Sequence, residues 1–169
     1  MEELLAMTQP GPEHETLMQL VGTWDVEVRT PPGQPKLRQA GTATAETILG
    51  GRFLVIDSKV EGMPGGPATT EYRHTLGFDR RHGVYTVIAM DDSGTYAVAG
   101  QGSRDGGRIK MYGEDDDPVM ASMGLEKEFV IVLDVTGPEQ ARIETWFIDT
   151  RTPERREMPF LAFRLQRAS

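Results

Sequence analysis

The sequence predicts an all-β domain, an up-and-down antiparallel barrel of about ten strands preceded by one short α-helix. Three observations carry that reading. Apolar and polar residues alternate through most of the chain, the period of half-buried strands. The alternating runs are separated mostly by hairpin-length turns. Gly (19) and Pro (11) are over-represented for a chain of 169 residues, and both residues terminate strands. A meander of this length has two unpaired edges unless its first and last strands meet, so closure is the expected outcome.

Pro10-Gly11-Pro12 interrupts the N-terminal stretch, and residues 1–11 are expected to be an extension outside one barrel domain spanning 12–169. Glu13 to Leu20 predicts the helix: Pro12 suits its first turn, Glu13 and Glu15 suit its positive end, and Gly22 stops it. Trp24, Val26 and Val28 then alternate with Asp25, Glu27 and Arg29 in the first strand. Further strands are expected over 41–49, 52–60, 69–78, 84–90, 95–101, 108–113, 126–135, 141–149 and 157–166. Gly50-Gly51, Asp79 to Gly83, Asp91 to Gly94 and Arg104 to Gly107 are the tight turns between them. The Gly/Pro segment around Met63 is a longer connection.

Composition excludes several functions. With 18 basic and 26 acidic residues the net charge is −8, which repels nucleic-acid backbones and anionic bilayers, so neither is an expected partner. The absence of Cys removes disulfides, thiolate metal sites and cysteine nucleophiles. No run approaches the ~20 apolar residues of a membrane helix, and the acidic start Met1-Glu2-Glu3 is unlike a secretory signal. A cytoplasmic location is the resulting expectation.

Two resemblances add to this reading. Pro12-Glu13-His14, Leu20 to Val26, Gly41 to Glu46, Ile48 to Leu54 and Leu76 to Asp79, with the later acidic run Gly113 to Pro118, are together similar to the bacterial domain-of-unknown-function family 1579. That likeness covers nearly the whole chain and implies no activity. Gly22-Thr23-Trp24, on the first strand after a short helix, resembles the Gly-x-Trp signature of lipocalins and their calycin relatives. The resemblance implies that Trp24 plugs one end of the barrel beneath an arginine from the last strand, and it assigns that arginine to Arg164.

A closed barrel of eight to ten strands can enclose one small ligand. The apolar parities assign Val26, Val28, Phe53, Val55, Tyr72, His74, Leu76, Ile88, Phe129, Ile131, Phe147 and Phe163 to the interior. Tyr72 and His74 carry polar tips that need partners inside an apolar wall: a ligand, another side chain or a buried water. Arg52 has two readings, an ion pair with Glu46 that pins its hairpin, or an anchor for a ligand carboxylate. Glu46, Asp57, Glu128 and Asp149 are carboxylates within strands, open to acid–base work if inward and to the rim otherwise.

No cofactor or metal is expected. Nitrobindin-type haem barrels share the general plan but use a late histidine, and the last strands here have none; His74 is the sole plausible axial ligand among His14, His74 and His82. The run Glu114 to Asp117 lacks the ligand spacing of a calcium loop. No Gly-x-Ser-x-Gly elbow, phosphate loop or paired-histidine helix occurs.

Three functional readings follow. The leading one is a binder of a small hydrophobic or amphipathic molecule, with Arg52, Tyr72, His74, Glu128, Phe129 and Phe147 as binding residues and Trp24 and Arg164 closing the barrel. The second is an acid–base enzyme in the same cavity, with Tyr72, His74 or Glu128 as its candidate residues. The third is a homodimeric interaction module with a packed interior, whose outward face carries Trp146 and Ile148.

Overall fold

A computed structural model describes residues 2–31, 37–62, 66–115, 118, 122, 127–151 and 153–169. The loop containing Met63, the Pro32-Gly33 connection and the Asp116-Asp117 part of the acidic run lie outside the described residues. Two short helices, α1 (Glu2–Met7) and α2 (Pro12–Met18), precede ten strands. These are β1 (Gly22–Arg29), β2 (Arg38–Ile48), β3 (Phe53–Glu61), β4 (Thr69–Asp79), β5 (Val84–Asp91), β6 (Ala97–Asp105), β7 (Arg108–Asp115), β8 (Lys127–Gly137), β9 (Gln140–Asp149) and β10 (Arg156–Arg167).

Every strand pairs antiparallel with its sequence neighbour, and β1 pairs with β10 to close the barrel. The expected architecture is therefore present. The additional helix is α1, hidden in sequence because it is only six residues long and ends before Pro10. Its last turn is tied to the barrel by Arg80, which donates to the Ala6 and Gln9 carbonyls.

The two ends of the barrel differ. At the lower end the connections are tight turns, and α2 lies across it with Leu17 and Leu20 buried. The β2–β3 turn runs through Leu49, Gly50 and Gly51 with φ of 51, 68 and 80°, a left-handed path that two glycines make accessible. The longer connections are all at the upper end.

Packing follows the same asymmetry. Trp24, Leu54, Leu76, Val87, Ile109, Leu133 and Leu165 fill the lower interior, each at most 3% exposed. Higher up, Tyr72, Ala89, Val98, Phe147 and Leu161 pack against the core but are only partly buried.

Trp24 and the final residue of β10 form the plug. The Trp24 indole N–H donates to the Leu20 carbonyl at 2.8 Å, and the Arg167 guanidinium lies over the ring, 4.0 Å from its centroid. Arg167 also donates to the carbonyls of Val21 (2.7 Å), Gln19 (2.9 Å) and Pro138 (2.8 Å). This one side chain therefore joins the end of α2, the start of β1 and the β8–β9 turn. Gly22 makes room for it: a Cβ there would sit 2.4 Å from Arg167 Nη1, and its φ of 135° is one that L side chains rarely adopt. The expected arginine, Arg164, pairs instead with Glu27 and Arg142 across the sheet and is exposed. It has the opposite parity from Phe163 and Leu165, which point inward.

Parity is also reversed in two strands. In β3 the inward residues are Leu54, Ile56, Ser58 and Val60, so Phe53 and Val55 lie outside. In β5 they are Tyr85, Val87 and Ala89, so Ile88 lies outside and is 44% exposed. The run Phe53-Leu54-Val55-Ile56 is apolar on both faces, and alternation alone cannot orient such a run.

Arg167→Ala is expected to lower unfolding stability by about 2–3 kcal/mol, because several charge-assisted hydrogen bonds and a cation–π contact disappear together. Arg164→Ala should stay within about 0.5 kcal/mol of the parent, as an exposed surface change. Urea denaturation of the two variants distinguishes these roles; equal effects would contradict the assignment of the plug.

Candidate functional site

The polar residues facing the upper interior come from adjacent strands. The pairing Ala43↔Ser58↔Tyr72↔Asp91 runs across β2 to β5, and Ala45↔Ile56↔His74↔Ala89↔Val98 is the row beneath it. Since directly paired residues share a face, Ser58, Tyr72, His74 and Asp91 all belong to the lumen side. Phe163 reaches them from β10: its ring meets Tyr72 edge-on at 4.9 Å and His74 edge-on at 5.3 Å.

His74 is the unusual member. It is 4% exposed, and its Nδ1 is buried without a hydrogen-bond partner. Burial pushes its pKa down to about 4, with the Asp91 carboxylate opposing the shift. The imidazole is therefore neutral near pH 7, with one nitrogen able to donate and one able to accept. A second orphan lies higher on the same wall. Gln39 is 2% exposed; its amide N–H₂ donates to the Glu61 carbonyl, while its Oε1 is left unpartnered. An unsatisfied buried polar atom costs about 1–3 kcal/mol.

Tyr72 is half-buried, and its phenol is shifted above its ordinary pKa of 10.0 by burial and then by Asp91 and Asp92. Asp91 closes the β5 strand and accepts hydrogen bonds from the Ser93 backbone N–H (2.9 Å) and hydroxyl. The rim above β9 and β10 carries an apolar cluster beside the charged pairs of the β9–β10 connection. Pro159 sits at a β-bulge, where a strand residue without an N–H is tolerated. Beside it, Phe160 packs against Phe147 at 4.6 Å, and Met158 is 44% exposed.

Of the expected binding residues, the structure brings Tyr72 and His74 together and places Phe129 and Phe147 opposite each other on the inner wall. Arg52 is elsewhere. It lies in the lower β2–β3 turn and donates to the Thr8 carbonyl (3.0 Å), the Leu49 carbonyl (3.0 Å) and Gln9 Oε1 (3.3 Å). It thus fastens the N-terminal segment and neither pairs with Glu46 nor reaches the lumen. Glu128 faces outward, opposite in parity to buried Phe129, and pairs with Arg155.

The other strand carboxylates are similarly occupied. Asp57 forms a two-point pair with Arg73 on the outer face, at 2.6 and 2.7 Å, which holds its carboxyl below the ordinary range. Asp149 stands at the rim against Arg151, at 2.9 Å. Trp146, the outward aromatic, is covered by its own chain: its N–H donates to Glu144 at 2.9 Å and Lys110 Nζ lies 5.8 Å from the ring centroid.

Gln39, Asp91 and Arg167 were not among the expected residues. Each lies at or within two residues of a strand end, just past the predicted limits. Among the described residues no group of three or more His, Asp or Glu side chains is placed to hold a metal ion. No described helix is long and apolar enough to cross a membrane.

The family whose profile matches residues 9–157 is described as "Protein of unknown function (DUF1579)". The chain belongs to the DUF1579 family. No curated protein matches it. Among solved structures it is similar to the crystal structure of Rv2717c from M. tuberculosis, with a TM-score of 0.55 and 16% identity over 95% of this chain and 100% of that one. At that identity the likeness concerns the fold. Tyr72 and His74 fall within the region matched to the DUF1579 family.

The depressed pKa of His74 has a consequence for stability. Its folded value of about 4 lies below the ordinary 6.5, so between those limits the unfolded chain binds more protons than the folded one. This contribution is fully present above about pH 6.5 and is lost as pH falls towards 4, amounting to on the order of 3 kcal/mol. His74→Phe should therefore show a flatter stability profile than the parent between pH 6.5 and 4, measured by urea unfolding at each pH. Parallel profiles would contradict a buried neutral imidazole.

Proposed function

We propose that this DUF1579 protein binds a small apolar or amphipathic molecule in the upper half of its barrel, with Tyr72 and His74 as polar contacts and Phe129, Phe147 and Phe163 as apolar wall. The observation that carries this reading is the buried His74 imidazole, whose Nδ1 has no partner within the protein. A fold that buries a polar atom without satisfying it loses stability unless something else supplies the bond. Of the residues sharing the inward parity of His74 on neighbouring strands, Gly41, Ala43, Ser58 and Ala89 are small, while Ile56 and Val60 are larger aliphatics. The rim across the barrel from His74 carries Phe147, Met158 and Phe160, apolar surface that an apolar molecule can enter along.

One observation favours an acid–base enzyme in the same place, the strong shift of an inward imidazole. Its direction favours binding over proton transfer. A base with a pKa near 4 has little driving force to take a proton at neutral pH, and a phenol held above its ordinary value is a weaker acid. The dimeric alternative loses its motive at Trp146, which its own chain covers.

Titration with the neutral fluorophore N-phenyl-1-naphthylamine tests the proposal. The parent should show saturable enhancement with one site per chain. Ala89→Phe, which projects a ring into the lumen beside His74, should weaken it at least tenfold, whereas Ile88→Phe on the outer face should leave it unchanged. Absence of binding by the parent, or equal binding by Ala89→Phe, would overturn the reading.

A further inference from the structure

We infer that the barrel selects ligands whose polar end donates hydrogen bonds, an amine or an alcohol, and discriminates against carboxylates and other anions. This rests on the interior-binding reading above and specifies the ligand class it admits.

The positive charges lie away from the wall that carries His74. Across β2 to β5, which form that wall, no Lys or Arg has the inward parity. Elsewhere that parity falls on Arg104 at the closed end and, at the rim, on Lys127 and Arg156, which stand opposite Asp115 and Asp149 in the register. Arg52, Arg80 and Arg167 are committed at the closed end to main-chain carbonyls. Arg73, Lys59 and Lys110 are paired with carboxylates on the outer face. At the rim, Arg151 is paired with Asp149 and Arg155 with Glu128. An anionic headgroup carried against this wall would lose its water and find no counter-charge there to repay the desolvation.

The unpartnered and charged groups on this wall accept hydrogen bonds, beside the Tyr72 and Ser58 hydroxyls, which can donate or accept. Gln39 Oε1 is an acceptor with no donor, in a side chain 2% exposed. His74 Nδ1 is likewise unpartnered, and in the tautomer protonated at Nε2 it accepts. Asp91 stands directly opposite Tyr72 in the β4–β5 register. Its negative charge acts on both Tyr72 and His74, raising the pKa of each against its own acidity. The neutral state of His74 removes the remaining source of positive charge on this wall. Two orphaned atoms and a carboxylate on one face define a donor-seeking site.

The test uses three eight-carbon probes that differ only at the polar end: octylamine, octan-1-ol and octanoate, each below its micellar concentration in 150 mM salt. Binding is followed by NMR through the ring resonances of Tyr72, His74 and Phe163, so that attachment of the amine to the acidic outer surface does not count. The amine and alcohol should shift these rings and bind at least tenfold more tightly than octanoate. Asp91→Asn, which keeps the turn hydrogen bond to Ser93, should reduce the amine-to-octanoate ratio at least threefold. Octanoate binding as tightly as octanol would overturn the donor preference while leaving interior binding intact. If none of the three shifts the rings, interior binding itself fails, and the preference with it.

Discussion

The contact between Arg167 and Trp24 is the constraint on which the rest of the barrel depends. A ten-strand meander has two free edges, and its first and last strands must meet at one register if neither is to stay unpaired. Here that register sets Trp24 opposite Arg167. The same guanidinium reaches the carbonyls of Gln19, Val21 and Pro138. Closure of the sheet, docking of the helix end and sealing of one barrel mouth are thus a single packing event. Gly22 belongs to it because the space beside its backbone is occupied by the arginine.

With one end sealed, the interior is polarised along the barrel axis. The lower half is filled by large aliphatic side chains under α2, which leaves no need for polar groups there. The upper half carries Tyr72, His74, Gln39 and Asp91 on one wall, with Phe129, Phe147 and Phe163 as its apolar lining. Burial keeps His74 neutral and no basic residue shares the inward parity of its wall, so two unpartnered atoms and a carboxylate face the lumen there beside the Tyr72 and Ser58 hydroxyls. The overall charge of −8 and the inner wall point the same way, against anionic ligands.

Much of this was legible in the sequence. The strand number, the meander order and the closure follow from alternation and turn spacing, which report directly on a half-buried sheet. Tyr72 and His74 were recognisable as inward polar residues because Thr70 to Phe78 alternates cleanly. What was not legible has common physical origins. Phe53-Leu54-Val55-Ile56 is apolar on both faces, and only pairing with β2 and β4 orients it. Gln39, Asp91 and Arg167 lie near strand ends, where turn-like composition masks the last residues of the ladder; the β5 strand runs one residue into Asp91-Asp92-Ser93-Gly94. Arg164, the expected plug arginine, lies three residues earlier and on the opposite face from Arg167. Neither reading of Arg52, an ion pair with Glu46 or a ligand anchor, reaches its partners Thr8 and Gln9, which lie some forty positions away in the chain.

The claim at the centre of this account is that His74 faces space that the protein does not itself fill. A high-resolution crystal structure of protein purified without detergent tests it most directly. The account predicts non-protein density, a ligand or ordered water, within hydrogen-bonding distance of His74 Nδ1 and continuous with the rim beside Phe147. A lumen packed shut around the imidazole, with Nδ1 bonded to a protein group, would contradict it.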